Sequence, residues 1–311
     1  MSTAGERDEK PAVVFDAARA IAFVAARADP SERERLRALL AGEKPSEATA
    51  DAVLAGQRAD GGYAPFWAPD YSGLDATCFR LALAEQLGVT PAATQDADAS
   101  PAASPAAVQV ARALAFIAAR QQPDGTWQED VTSLPASAAV PPWLTPGDAA
   151  AALYLTANCG YWLGALGGAD YAGPAMAAAD AIERELTEDG RLPSFPHSYW
   201  LAAGLLHRAD RTLAAARVLD RLRMAILPDV TASGLAWLVT CLAAAGVPAH
   251  HPTVRSAVQR LGPLQQPDGR WRSDDGPARD VHATLEALRA LRWFGRARAR
   301  LERAFIPEPS G

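Results

Sequence analysis

The chain has 311 residues, 49% hydrophobic and 21% charged, a soluble globular composition able to bury a sizeable core. Thirty Lys and Arg against 36 Asp and Glu leave a net charge of −6, so the basic footprint that nucleic-acid binding needs is absent and no nucleic acid is expected as a partner. Cys78, Cys159 and Cys241 are far apart and odd in number, which argues against a disulfide framework and fits a reducing compartment.

The first ten residues are polar and mixed in charge, without the basic-then-apolar order of a signal peptide, so a cytoplasmic protein is expected, with disordered tails at about 1–10 and 306–311. The longest apolar stretches, Ala149 to Leu155 and Leu235 to Ala245, fall short of the roughly 20 residues of a membrane-spanning helix. Three segments share one grammar: Gln57-Arg58-Ala59-Asp60-Gly61-Gly62-Tyr63, Gln121-Gln122-Pro123-Asp124-Gly125-Thr126-Trp127 and Gln265-Gln266-Pro267-Asp268-Gly269-Arg270-Trp271. Leu186 to Leu192, around Asp189-Gly190, is a fourth, eroded copy. Each follows an Ala/Leu/Arg-rich helical run such as Val108 to Arg120. Asp-Gly supplies the positive-φ turn that ends the helix, and the aromatic ring packs back over it, a staple for a helical hairpin.

The spacing predicts a helix opened by an Asp after each staple, at Asp75, Asp148 and Asp280, with a similar start at Asp229. Residues 90–105, rich in Ala, Pro, Ser and Asp, read as a surface loop, and the stretch from Glu129 to Gly147 reads as a loop crossing the mouth of a cavity. His250-His251-Pro252 reads as a loop with Pro in the first helical turn and carries no assignment. Arg289 to Arg303 has the spacing of a solvated outer helix that can also lie on an anionic membrane surface. Since the staple recurs on both sides of every irregular stretch, one all-α domain of about six helical hairpins is expected over 1–311.

The staple resembles the QW motif of the terpenoid cyclase and protein prenyltransferase superfamily, whose fold is an α/α toroid of inner and outer helices. Gly61 to Trp67 followed by Tyr71-Ser72-Gly73-Leu74-Asp75-Ala76-Thr77 resembles the segment that carries the Asp-x-Asp-Asp-Thr acid motif of squalene-hopene cyclases and other class II terpene cyclases. The closer match covers residues 57 to about 160. It implies that Asp75 is the Brønsted acid that protonates an alkene or epoxide, although Gly73 and Ala76 stand where the flanking acids belong. Asp280-Val281-His282-Ala283-Thr284 has the same frame, with His282 as a polar partner or base. In a ring of six hairpins, only the first hairpin separates Asp280 from Asp75.

The resemblance implies an apolar, isoprenoid substrate held by aromatic faces that stabilise carbocations. The candidates are Trp67, Tyr71, Trp143, Tyr161, Trp200 and Trp237, with Asp148 and Asp280 at the helix starts. An Asp in such a place is ordinarily an N-cap worth about 1 kcal/mol. No cofactor is expected; the alternative is zinc or magnesium, with Asp75, Cys78 and His282 as a metal trio. Two other readings stay open: a non-catalytic toroid that binds a hydrophobic ligand or a protein, and a zinc-dependent prenyltransferase-like subunit. Family cyclases usually pair this barrel with a second, which implies a homo-oligomer or a partner subunit here.

Overall fold

The computed structural model describes residues 14–91, 103–135 and 139–304, and within them twelve α-helices alternate between two concentric rings. The outer helices are α1 (Ala17–Arg27), α3 (Glu47–Leu54), α5 (Pro105–Ala118), α7 (Ala172–Glu185), α9 (Thr212–Arg221) and α11 (Pro252–Leu261). The inner helices are α2 (Pro30–Ala41), α4 (Leu74–Gln86), α6 (Ala149–Leu166), α8 (Pro196–Arg208), α10 (Ala232–Ala244) and α12 (Asp280–Ala304). From α4 to α12 each inner helix packs on the next, α12 packs on α10, α1 and α2, and Arg35 of α2 donates to Gln86 of α4, which closes an α/α toroid. The expected tails, and residues 92–102 of the expected surface loop, lie outside the described residues; Pro105 already belongs to α5.

Composition explains which helices go inside. The α6 sequence carries no charge and is buried over most of its length, as a helix apolar all round must be. Small residues let neighbours come close: a Cβ on Gly160 would lie 2.5 Å from Ala178 Cβ of α7, and one on Gly204 would lie 2.7 Å from the Tyr161 ring. No described helix is long and apolar enough to cross a membrane.

The staples are joints between hairpins. Gln57 Nε2 donates to Gly61 O within its own turn and to Gln109 O of α5; Gln121 Nε2 does the same to Gly125 O and Pro174 O of α7. Gln265 closes the ring, donating to Gly269 O and to Asp16 O at the start of α1 while accepting from Asp16 N. The aromatic residue ties back to the preceding outer helix, through Tyr63 OH to Leu54 O, Trp127 Nε1 to Ile117 O and Trp271 Nε1 to Leu261 O. Its backbone N–H donates forward to a threonine of the next inner helix, Thr77, Thr156 or Thr284, at 3.0–3.1 Å. The eroded copy keeps the turn, with Gly190 against Arg217 of α9, but Leu192 replaces the ring and the Tyr199 hydroxyl replaces the threonine.

Two expectations need correction. Asp229 does not open α10, because the chain makes a short 3-10 turn there and Thr231 caps the helix through Gly234 N. Arg289 onward is no separate outer helix; it continues the inner helix α12, with Arg289 paired to Glu85 and Glu286.

The staple glycines generate a test. Gly125 has φ +88°, and a Cβ there would lie 2.5 Å from Ala177 O, whereas Gly246 has the same φ with nothing within 4 Å. Gly246→Ala is expected to cost about 1 kcal/mol of backbone strain, and Gly125→Ala roughly 3 kcal/mol, because α7 must also be pushed away. Denaturant unfolding of both variants checks the difference, and equal losses would mean that the close approach carries no weight.

Candidate active site

All outer-to-inner connections lie at one end of the toroid, so the N-termini of the inner helices gather around one mouth. Asp75 sits in the first turn of α4. The turn is set by the loop before it, where Gly73 N donates to Tyr63 O and Thr77 Oγ1 receives Tyr63 N while donating to Gly73 O. Asp75 is not an N-cap: that position is Gly73, which has no side chain to cap with.

The carboxyl of Asp75 points across to α6. Tyr154 OH donates to Oδ1 at 2.7 Å and Asn158 Nδ2 donates to the same oxygen at 3.1 Å, while Oδ2 makes no hydrogen bond among the described residues. Protein encloses Asp75, yet it keeps part of its accessible surface, so that surface faces the interior space of the ring. Burial pushes the carboxyl above the ordinary aspartate range; the bonds from Tyr154 and Asn158 pull it back, and the charge of Asp275 adds to the rise. With two donors fixed on Oδ1, a neutral Asp75 carries its proton on Oδ2, which is free of hydrogen bonds among the described residues. Asn158 Oδ1 is buried without a partner among the described residues.

His282, in the first turn of α12, reaches the same mouth, as its edge-on packing against Phe79 of α4 shows, with ring centres 6.0 Å apart. It makes no hydrogen bond to Asp75 among the described residues; Tyr154 and Asn158 fill that place. Burial, with the guanidinium groups of Arg35 and Arg279, pushes His282 down to about 3, so the imidazole is neutral near pH 7. A neutral imidazole can accept a proton from a carbocation.

Further round the ring, His197 and Trp200 of α8 and Trp237 of α10 form an aromatic group with centres 5.0–5.4 Å apart. Burial lowers His197 from its ordinary value, and Trp200 Nε1 is buried without a partner among the described residues. Trp143 stands 43% exposed in the loop before α6, and Trp67 lies half-buried 6.1 Å from the Tyr71 ring.

Other sequence candidates have structural duties. Tyr161 is fully buried and donates to Cys241 O. Asp148 caps α6 through Ala151 N on the exposed rim. Asp280 is buried, accepts from Ser273 N and pairs with Arg270 at 3.4 Å, so its carboxylate holds the preceding loop rather than facing the mouth. Tyr71 is buried and donates to Glu129. The metal trio does not converge: Cys78 lies 3.8 Å from Cys159, Asp75 turns to α6 and His282 packs on Phe79; no group of three His, Cys, Asp or Glu side chains among the described residues is placed to hold an ion.

The residue that sequence reasoning missed is Glu129. It is buried in the loop after α5, where Tyr71 OH donates to it at 2.7 Å, Leu74 N at 3.0 Å and Asp75 N at 3.4 Å. Burial pushes its carboxyl up to about 7, against the pull of these donors, and the charge of Asp75 raises it further. Nothing near it in the chain marks it, since its partners lie 54–58 residues away. Tyr154 and Asn158 did carry a signal, polar groups four apart on a charge-free helix. The opposite end of the toroid is bridged by Arg35, Gln86, Glu286, Arg289 and Glu85, around a pocket of about 100 Å³.

The raised Asp75 predicts a pH effect on stability. Because the fold favours the neutral carboxyl, its contribution is complete below the ordinary aspartate value of about 4 and is lost as pH rises through the folded value. Asp75→Asn keeps an acceptor for Tyr154 and never ionises, so its melting temperature should gain on wild type as pH rises above 4 and level off once the folded Asp75 has ionised. Thermal melts from pH 4 to 8 check it; a constant gap would place the carboxyl in water.

No protein-family model matches the chain, and no curated protein does. Solved structures do match. One is a variant of the type II terpene cyclase MstE from Scytonema in complex with geranylgeranyl dihydroxybenzoate, its substrate, at 14% identity and a TM-score of 0.55, covering 90% of this chain and 96% of that one. Another is a second MstE variant with merosterolic acid A, its product, at 15% identity and a TM-score of 0.50, covering 90% and 86%. The likeness establishes a terpene cyclase-like fold.

Proposed function

We propose that this toroid is a class II cyclase of the squalene-hopene cyclase-like kind, which starts the cyclisation or isomerisation of an isoprenoid or similarly apolar polyene by protonating it from Asp75. The observation that carries this reading is the Asp75 carboxyl, enclosed, raised, bonded on one oxygen by Tyr154 and Asn158, and free of hydrogen bonds on the other among the described residues. The proton leaves Oδ2 for an alkene or epoxide carbon or oxygen, and the carboxylate left behind is held by its two donors. The cation then faces His197 and Trp237, whose rings stabilise charge without trapping it and are backed by the fully buried Trp200. Neutral His282 is suited to take the final proton. The substrate and product bound to the MstE structures lend support to an isoprenoid ligand. The sequence holds no Asp-Asp-x-x-Asp run for ionising a diphosphate, so a diphosphate, if the substrate bears one, stays attached.

Incubating wild type and Asp75→Asn with a panel of linear isoprenoids, diphosphates being hydrolysed before analysis, tests the reading by gas chromatography and mass spectrometry. Wild type should give a cyclised or isomerised product, and Asp75→Asn at least ~10²-fold less, the usual worth of a positioned acid. A product that survives the substitution would remove Asp75 from the role. Tyr154→Phe should keep activity and move the alkaline limb of its pH profile upward, because the lost bond favoured the carboxylate.

A further inference from the structure

α4 opens without a cap of its own. Gly73 at the N-cap position has φ −90° and ψ 146°, the extended conformation of an ordinary N-cap, but no side-chain oxygen to offer. The cap comes from another segment: both oxygens of Glu129 receive Leu74 N, at 3.0 and 3.1 Å, and Oε1 also receives Asp75 N. A Cβ built on Gly73 would lie 3.4 Å from Glu129 Oε1. The Glu129 carboxyl therefore occupies the space that a short acidic side chain at residue 73 would fill.

Its hydrogen-bond donors favour a carboxylate against the upward push of burial. Tyr71 OH donates to Oε2 and itself accepts from Asp130 N, so Tyr71 is locked as a donor, and the other donors to the carboxyl among the described residues are the backbone N–H groups of Leu74 and Asp75. This matters for Asp75, because a bare helix N-terminus stabilises a nearby anion and would draw Asp75 towards ionisation. An acid used as a proton donor needs the opposite.

We propose that Glu129 replaces from a distant segment the acid that position 73 lacks, capping α4 and occupying its first N–H groups so that Asp75 keeps its proton. Glu129 is thus a positioning residue, and the inference rests on the reading of Asp75 as the acid. The other groups facing the pair are Tyr154 and Cys159 from α6, Cys78 from α4 itself, Asp275 from the loop before α12, and Tyr71 with Asp130 beside Glu129. None of these changes in the variants below.

The test moves the acid back onto the helix. Glu129→Gln keeps an acceptor for Leu74 N and removes the charge; the double variant Gly73→Asp/Glu129→Ala clears the space that the residue 129 side chain fills and restores a carboxylate there through the local backbone. Melting temperature and the Asp75 carboxyl titration, read by NMR with carboxyl-labelled aspartate and assigned with Asp75→Asn, are followed in each. Glu129→Gln should melt lower and titrate Asp75 about one pH unit lower, as expected for losing a like charge. The double variant should recover both.

An Asp75 titration unmoved by Glu129→Gln, or a double variant that recovers neither property, overturns the proposal. If Glu129→Gln does not fold, the double variant decides alone: folding with wild-type titration supports the replacement, and failure to fold refutes it. None of this needs turnover. A cyclisation assay without product therefore strikes the reading of Asp75 and leaves the capping result standing, while an unmoved titration in an active enzyme strikes only the role of Glu129.

Discussion

The mouth of this toroid depends on one recurrent hydrogen bond, from the backbone N–H of a staple's last residue to a threonine hydroxyl in the next inner helix. Thr77, Thr156 and Thr284 each receive that N–H and pass their own proton to the carbonyl four residues back. A hydroxyl is well suited here because it accepts and donates at once without charge. Each bond fixes the height of an inner helix against the preceding turn. The glycine of the turn meanwhile touches the backbone of the next outer helix, where no side chain would fit. Ring closure is the same joint used once more, between Gln265 and Asp16.

That architecture gathers helix N-termini around one opening, and so fills the mouth with orphan N–H groups and partial positive charge. Three of the six ends are quieted by a side chain at the N-cap, Asp29 on α2, Asp148 on α6 and Thr231 on α10. α4 differs because its first turn also carries the one carboxyl that the toroid surrounds with apolar side chains and two neutral donors. The end is quieted instead by Glu129, which leaves the side chain of Asp75 turned away from its own helix and towards α6.

Asp75 and Glu129 are both enclosed carboxyls raised from their ordinary values, and Asn158 Oδ1 beside them is buried without a partner among the described residues. Buried unpartnered oxygens also occur at the first hairpin joint, on Gln57 and Gln109, so what sets the mouth apart is its pair of raised carboxyls.

The amino-acid sequence by itself determined the toroid, since the repeated Gln, Gly and aromatic positions fix both the turn and the two helices it joins, all within reach of local contacts. It also named Asp75 and His282 as candidates at helix starts, with Trp237 as one of six aromatic candidates. Only the tertiary structure decided which groups complete the acid. Glu129 reaches α4 across more than fifty residues, and Tyr154 and Asn158 across about eighty, so their meeting follows from the packing of α4 against α6 and from no pattern along the chain. Asp280 shows the converse: it stands where α4 has Gly73, four residues before the shared threonine, and its carboxylate is held by Arg270 and Ser273 N, contacts that the repeat of the frame does not announce.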